Sequence, residues 1–119
     1  MGEVRVEIAA VNPRTGARSP VVVALADTGA TLTVMAGPML DRIGIERLRS
    51  VTLGLADGRR QERDVGDATV AVNGDAVPCR VVLGESTDAA RLGLTVLEQL
   101  GLAVDPVPRR LVPADVLLY

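Results

Sequence analysis

Apolar residues in this chain arrive in short runs, and nearly every run is closed by a turn signal built from Gly, Asn, Asp or Pro. Valine is frequent in those runs, and a branched Cβ favours the extended backbone. The pattern constrains the chain to strands joined by tight turns. Tyr119 is the one aromatic residue, with no Phe and no Trp, so the interior has to be filled by Val, Leu, Ile and Ala. A chain of 119 residues that is 48% hydrophobic has enough apolar surface for one compact domain, taken here as residues 1–119.

Read in order, Val4 to Ile8 alternates apolar and polar residues as a half-buried strand does. A turn cluster, Asn12 to Gly16, leads to the apolar run Pro20 to Ala26, and the two strands are expected to form a hairpin. Leu32 to Met35 is a short strand, and Pro38 to Ile43 a helix stopped by Gly44. Val51 to Leu55 and Arg59 to Val65 flank the turn Ala56-Asp57-Gly58, and Thr69 to Val72 and Val77 to Leu83 flank Asn73-Gly74-Asp75. A helix over Thr95 to Leu100 stops at Gly101, and a last short hairpin joins Leu102–Val104 to Arg109–Val112. Leu32 to Met35 echoes Leu94 to Leu97, each followed by a helix and a Gly, which suggests an internal duplication. The expected class is all-β with one or two short helices.

The charge balance narrows the function. Thirteen basic residues, all Arg, stand against 15 acidic ones, and the Arg are scattered, so no footprint for nucleic acid or an anionic membrane surface is expected. Without Lys there is no Schiff base or phosphate-loop lysine. Without His, and with Cys79 alone, nucleophile–histidine pairs and most zinc sites are removed, and no metal site is expected. A single Cys forms no internal disulfide, which points to a reducing, cytoplasmic setting, with Cys79 a small hydrophobe on a strand. No apolar run reaches the 18 residues of a membrane span.

The segment that carries chemistry is Val22-Val23-Ala24-Leu25-Ala26-Asp27-Thr28-Gly29-Ala30-Thr31. A carboxylate closing an apolar run costs several kcal/mol if it is buried without partners, on the order of the transfer penalty of a charged group. Gly29 lets the backbone fold back so that an N–H can reach Asp27, and Thr28 offers a hydroxyl. On local chemistry alone, an ordinary turn in which Asp caps nearby amides is the better account of the segment.

The order of landmarks along the chain resembles the retroviral-type (retropepsin-like) aspartic protease family. A hairpin precedes Asp27-Thr28-Gly29-Ala30, which matches that family's Asp-Thr/Ser-Gly-Ala/Ser signature. The hairpin Val51 to Val65, tipped by Ala56, Asp57 and Gly58, stands in the place of the flap. Leu92-Gly93-Leu94, with Arg91 where the family has an apolar residue, matches its hydrophobic–hydrophobic–Gly element, and a helix follows. The resemblance implies a closed β-barrel of the acid protease fold and a homodimer in which each chain supplies one catalytic Asp, Asp27. Two such carboxylates cannot both ionise, so they share a proton, one activating water and the other protonating the scissile carbonyl of a peptide or protein substrate. It implies no cofactor and no metal. Thr28 is expected to bond across the dimer, Gly29 to support Asp27 or orient substrate, and Ala30, without a hydroxyl, to favour activity nearer neutral pH.

Leu25, Val34, Leu55 and Leu92 are candidate apolar subsite walls, and Leu111 to Tyr119 a candidate dimer strand. The charged residues after the hairpin tip (Arg59, Arg60, Glu62, Arg63 and Asp64) and Arg91 also suit a protease-like module that binds peptides or dimerises without turnover. A small β-barrel binding domain with a coincidental Asp-Thr-Gly turn leaves the later landmarks unexplained.

Overall fold

Six strands close on themselves around an aliphatic core. The computed structural model describes residues 3–114. In chain order the elements are β1 (Arg5–Val11), β2 (Val22–Asp27), β3 (Thr33–Ala36), α1 (Gly37–Arg42), β4 (Arg49–Gly54), β5 (Arg60–Val72), β6 (Asp75–Gly84), β7 (Arg91–Gly93), α2 (Leu94–Leu100), β8 (Leu102–Asp105) and β9 (Arg110–Pro113). The main sheet runs β1-β2-β7-β3-β6-β5-β4, and β1 also pairs with β5, which turns the first six of these into a ring with β4 on its outside. The chain is therefore mostly β with two short helices, as its turn spacing predicts. Pairing β1 to both neighbours also leaves it no open edge over Ile8, whose partners are Val22 on one side and Val72 on the other.

The alternation of β1 explains its placement. Val6 and Ile8 are buried while Arg5 and Glu7 are exposed, so one face meets the core and the other meets water. Met35, Leu40, Val70, Val81, Leu92, Val96 and Leu97 complete an interior that holds no aromatic ring among the described residues. Four polar residues are buried with it, Asn12, Ser19, Thr33 and Arg63, and no buried polar side-chain atom among the described residues lacks a hydrogen-bond partner. Asn12 shows why: its Nδ2 donates to the Ile43 carbonyl (2.9 Å) and its Oδ1 accepts from the Arg14 N–H (2.9 Å). One side chain thus orders the β1–β2 turn and fastens it to the end of α1.

Two expectations need correction. Arg59–Val65 and Thr69–Val72 are not separate strands: β5 is one strand of 13 residues, pairing with β4 over 60–65, with β6 over 64–72 and with β1 over 69–72. Gly66 signals a break in sequence, yet in space it lets the Glu46 carbonyl pack directly on the strand. Second, Leu94–Leu97 is helical, so it does not correspond to the strand at Leu32–Met35. The repeat of strand, helix and left-handed Gly is present, but its strands are β3 and β7, and its glycines are Gly44 (φ 81°) and Gly101 (φ 66°). The expected last hairpin is present, Leu111–Pro113 pairing with Leu102–Val104 in a separate two-stranded sheet, and the rest of the candidate dimer strand, from residue 115, lies outside the described residues.

Candidate active site

Asp27 is the last residue of β2, and the register with β7, the alternation along β2 and the turn that follows decide where its carboxylate points. β2 and β7 run parallel with Leu25 beside Arg91, Ala26 beside Leu92 and Asp27 beside Gly93. Residues paired in this way share a face. Ala24 and Leu92 are buried against the core, so the alternate residues Leu25, Asp27 and Arg91 lie on the open face. Val34, the β3 partner of Arg91, joins them there. Beyond Asp27 the chain turns through Thr28 and Gly29, both exposed, and the Gly29 N–H comes back to donate to Asp27 Oδ1 at 2.8 Å. A Cβ on Gly29 would stand 3.1 Å from that oxygen, inside ordinary contact distance, so a larger residue would push on the carboxylate.

The other oxygen is also engaged. Arg91 Nη1 donates to Asp27 Oδ2 at 2.8 Å in a half-exposed ion pair, the side chains being 42% and 32% accessible. The sequence marks Arg91 only as a departure from the family's apolar residue. The parallel register is what brings it to Asp27 from 64 residues away, and no local pattern carries that information.

The Asp27 loop rests on the start of α2. Three successive amides donate into it: Gly93 N–H to Thr33 Oγ1 (3.0 Å), Leu94 N–H to the Ala30 carbonyl (2.7 Å) and Thr95 N–H to the Thr31 carbonyl (3.1 Å). Helix starts leave N–H groups unpaired, and α2 has no side-chain cap, so loop carbonyls fill that role. Ala30 therefore serves the site through its backbone. Thr33, unremarked in sequence because it sits between Leu32 and Val34, is a buried hydroxyl with a defined partner.

The hairpin Arg49–Val72 carries Ala56, Asp57 and Gly58 at its exposed tip. Gly58 is left-handed (φ 86°) and its N–H donates to the Leu55 carbonyl, while Asp57 pairs with Arg59 at 2.6 Å. Of the four candidate subsite walls, Leu25 and Val34 flank the open face beside Asp27, Leu55 sits at the tip, and Leu92 is a core residue with no exposed surface. Cys79 is half-buried on β6, and burial pushes its thiol up to about 11, which keeps it an unreactive packing group.

The family model for gag-polyprotein putative aspartyl protease matches residues 17–99. The chain belongs to this family. The match opens just before β2 and closes inside α2, so it takes in the Asp27 loop, the hairpin and the Gly93 element together. No curated protein matches the chain. Asp27-Thr28-Gly29 and Arg91 both fall inside the matched residues, and the Arg91 guanidinium lies directly beside the Asp27 carboxylate.

A second ion pair ties the β4–β5 hairpin to the segment leading into β7. Arg63, at its root, holds Asp88 with two N–H groups (2.7 and 3.1 Å) and also donates to the Glu62 carbonyl and to Gln61 Oε1. Those hydrogen bonds from Arg63 keep the Asp88 carboxyl below the usual carboxylate range, with burial opposing and the Glu85 N–H assisting. A depressed value adds stability above the unfolded carboxyl's pKa, near 3.9, and that stability is lost as pH falls through the folded value. Asp88→Asn is expected to destabilise the protein by about 2–4 kcal/mol at neutral pH, between exposed and fully buried pairs. The gap in melting temperature between wild type and variant should shrink as pH is lowered from about 5 to about 2. A gap that stays constant over that range would show that the pair does not carry the effect.

Proposed function

We propose that this chain is an aspartic endopeptidase that works as a homodimer, each subunit supplying Asp27. The observation that carries the proposal is the Asp27 turn itself: a carboxylate ending a strand on an open face and held by the Gly29 N–H, in a loop whose Ala30 and Thr31 carbonyls and Thr33 hydroxyl accept from the amides of Leu94, Thr95 and Gly93. Each carboxylate oxygen has two lone pairs, so the bonds from Gly29 and Arg91 leave one on each for water or a second carboxylate. Across a two-fold axis, one Asp27 takes a proton from water while the other gives one to the scissile carbonyl. Thr28, exposed beside it, bonds to its counterpart, and the hairpin at residues 51–65 closes over a peptide or protein substrate. The reaction needs neither cofactor nor metal, and the domain acts in a reducing cytoplasm without nucleic acid or membrane.

The direct test is digestion of a peptide library between about pH 3 and 7, a range around carboxylate titration, over a dilution series of the protein. The expected result is cleavage whose rate per chain falls on dilution, in step with dimer loss by sedimentation. Activity per chain that stays constant while the protein is monomeric would rule out the shared dyad. Absence of cleavage at any concentration favours the second reading, a peptide-binding or dimerisation module. Two observations speak for that module: Arg91 lies on Asp27, and the hairpin tip is charged and exposed.

A further inference from the structure

We propose that Arg91 sets the specificity of the Asp27 site, selecting peptides with Asp or Glu next to the scissile bond. The inference rests on the endopeptidase reading above and deepens it by naming the substrate class. Arg91 and Asp27 share the open face, with Nη1 2.8 Å from Oδ2, so a carbonyl that reaches Asp27 brings its flanking side chains within reach of the guanidinium. The guanidinium has five N–H donors, and one of them has a hydrogen-bond partner among the described residues. With its side chain 42% accessible, Arg91 can turn the remaining edge of its fork to a ligand without giving up Asp27.

The chemistry of that free edge is specific. A planar fork matches a carboxylate in two parallel hydrogen bonds, which an amide oxygen of the same shape fills less well and an ammonium group opposes. Leu25 and Val34 stand on the same face and offer aliphatic walls to the methylenes of a Glu side chain. Arg91 pairs with Asp27, so a substrate carboxylate on the far edge makes a three-membered row, acid–guanidinium–acid, in which the one positive charge bridges two carboxylates. A purely structural Arg91 would change the rate for every peptide alike.

The experiment reads composition at the cleaved bond. Wild-type protein digests a randomised decapeptide pool, and the residues on both sides of each cut are counted by mass spectrometry. Asp and Glu are expected to exceed Asn and Gln by about tenfold on one side, the lower end for a charge-assisted pair open to solvent. In Arg91→Gln the ratio should approach one, and in Arg91→Glu the preference should move to Lys and Arg. A parallel capture of the same pool on immobilised Asp27→Asn protein, with and without Arg91→Gln, reads binding without turnover. Cleavage with equal acid and amide content would overturn the specificity and leave the endopeptidase standing. No cleavage, with acid-selective capture lost in the Arg91→Gln form, would overturn the endopeptidase and keep Arg91 as the acid-reading residue. No cleavage and no selective capture would overturn both.

Discussion

Asp27→Asn is expected to lower kcat/KM for any cleaved peptide by about 10²–10⁴-fold, the contribution of a positioned general acid–base group. Asn keeps the size of Asp and one carbonyl oxygen, but it cannot take a proton from water or return one to the leaving group. Asp27 accepts from Gly29 on one oxygen and from Arg91 on the other. The Asn amide can satisfy one of these donors and must present its own NH₂ to the second. The resulting mismatch costs on the order of 1–3 kcal/mol of local stability, so circular dichroism and a melting curve belong beside the kinetics. In the proposed homodimer both halves of the dyad come from the same gene product, so the variant would lose both carboxylates. Mixed with excess variant, wild-type chains should lose activity as heterodimers form. A variant that is folded, dimeric and within threefold of wild type would show that Asp27 is not the catalytic carboxylate.

Local chemistry made most of the fold legible, and the reasons differ from element to element. β1 declares itself because Val4, Val6 and Ile8 alternate with charges, and α1 because Pro38 and Gly44 bracket it. The Asn73-Gly74 turn is written in two residues that both adopt positive φ (52° and 80°). β7 was not legible: three residues ending in Gly form a strand here because β2 pairs along it and Val34 of β3 meets Arg91, a purely long-range cause. The same holds at the site. Asp27 and Gly29 are close in sequence, so their contact can be anticipated. Arg91 and Thr33 enter through the register of β7 and the start of α2, which no spacing rule contains. Arg63, one of five charged residues following the hairpin tip, turned out to be buried and bonded to Asp88. A bidentate partner 25 residues on makes burial of that charge tolerable, and no local pattern announces it.

Those long-range contacts converge on Gly93, and Gly93→Ala is expected to be among the most damaging substitutions of a single methyl in this protein. A Cβ there would lie 2.5 Å from the Leu32 carbonyl carbon, 2.6 Å from its oxygen and 2.9 Å from the Thr33 nitrogen. All three are backbone atoms, so no side chain can swing aside. Nor can either segment easily retreat: β7 is pinned to β2, and β3 is held by β6 through Thr33–Ala36. Overpacking of a rigid core costs about 1–3 kcal/mol and more where backbone must shift, so about 3 kcal/mol or above is expected. For a domain of this size that is roughly a 10–20 °C fall in melting temperature. Separating Gly93 from Leu32 also breaks alignment of the three amides that hold Thr33, Ala30 and Thr31. The fraction that still folds should therefore cleave poorly, since Asp27 sits on that loop. Gly54→Ala is the control, because a Cβ there meets nothing within 4 Å, and it should change stability by less than about 0.5 kcal/mol. If Gly93→Ala melts within a few degrees of Gly54→Ala and keeps its activity, the loop is not seated on α2 as described.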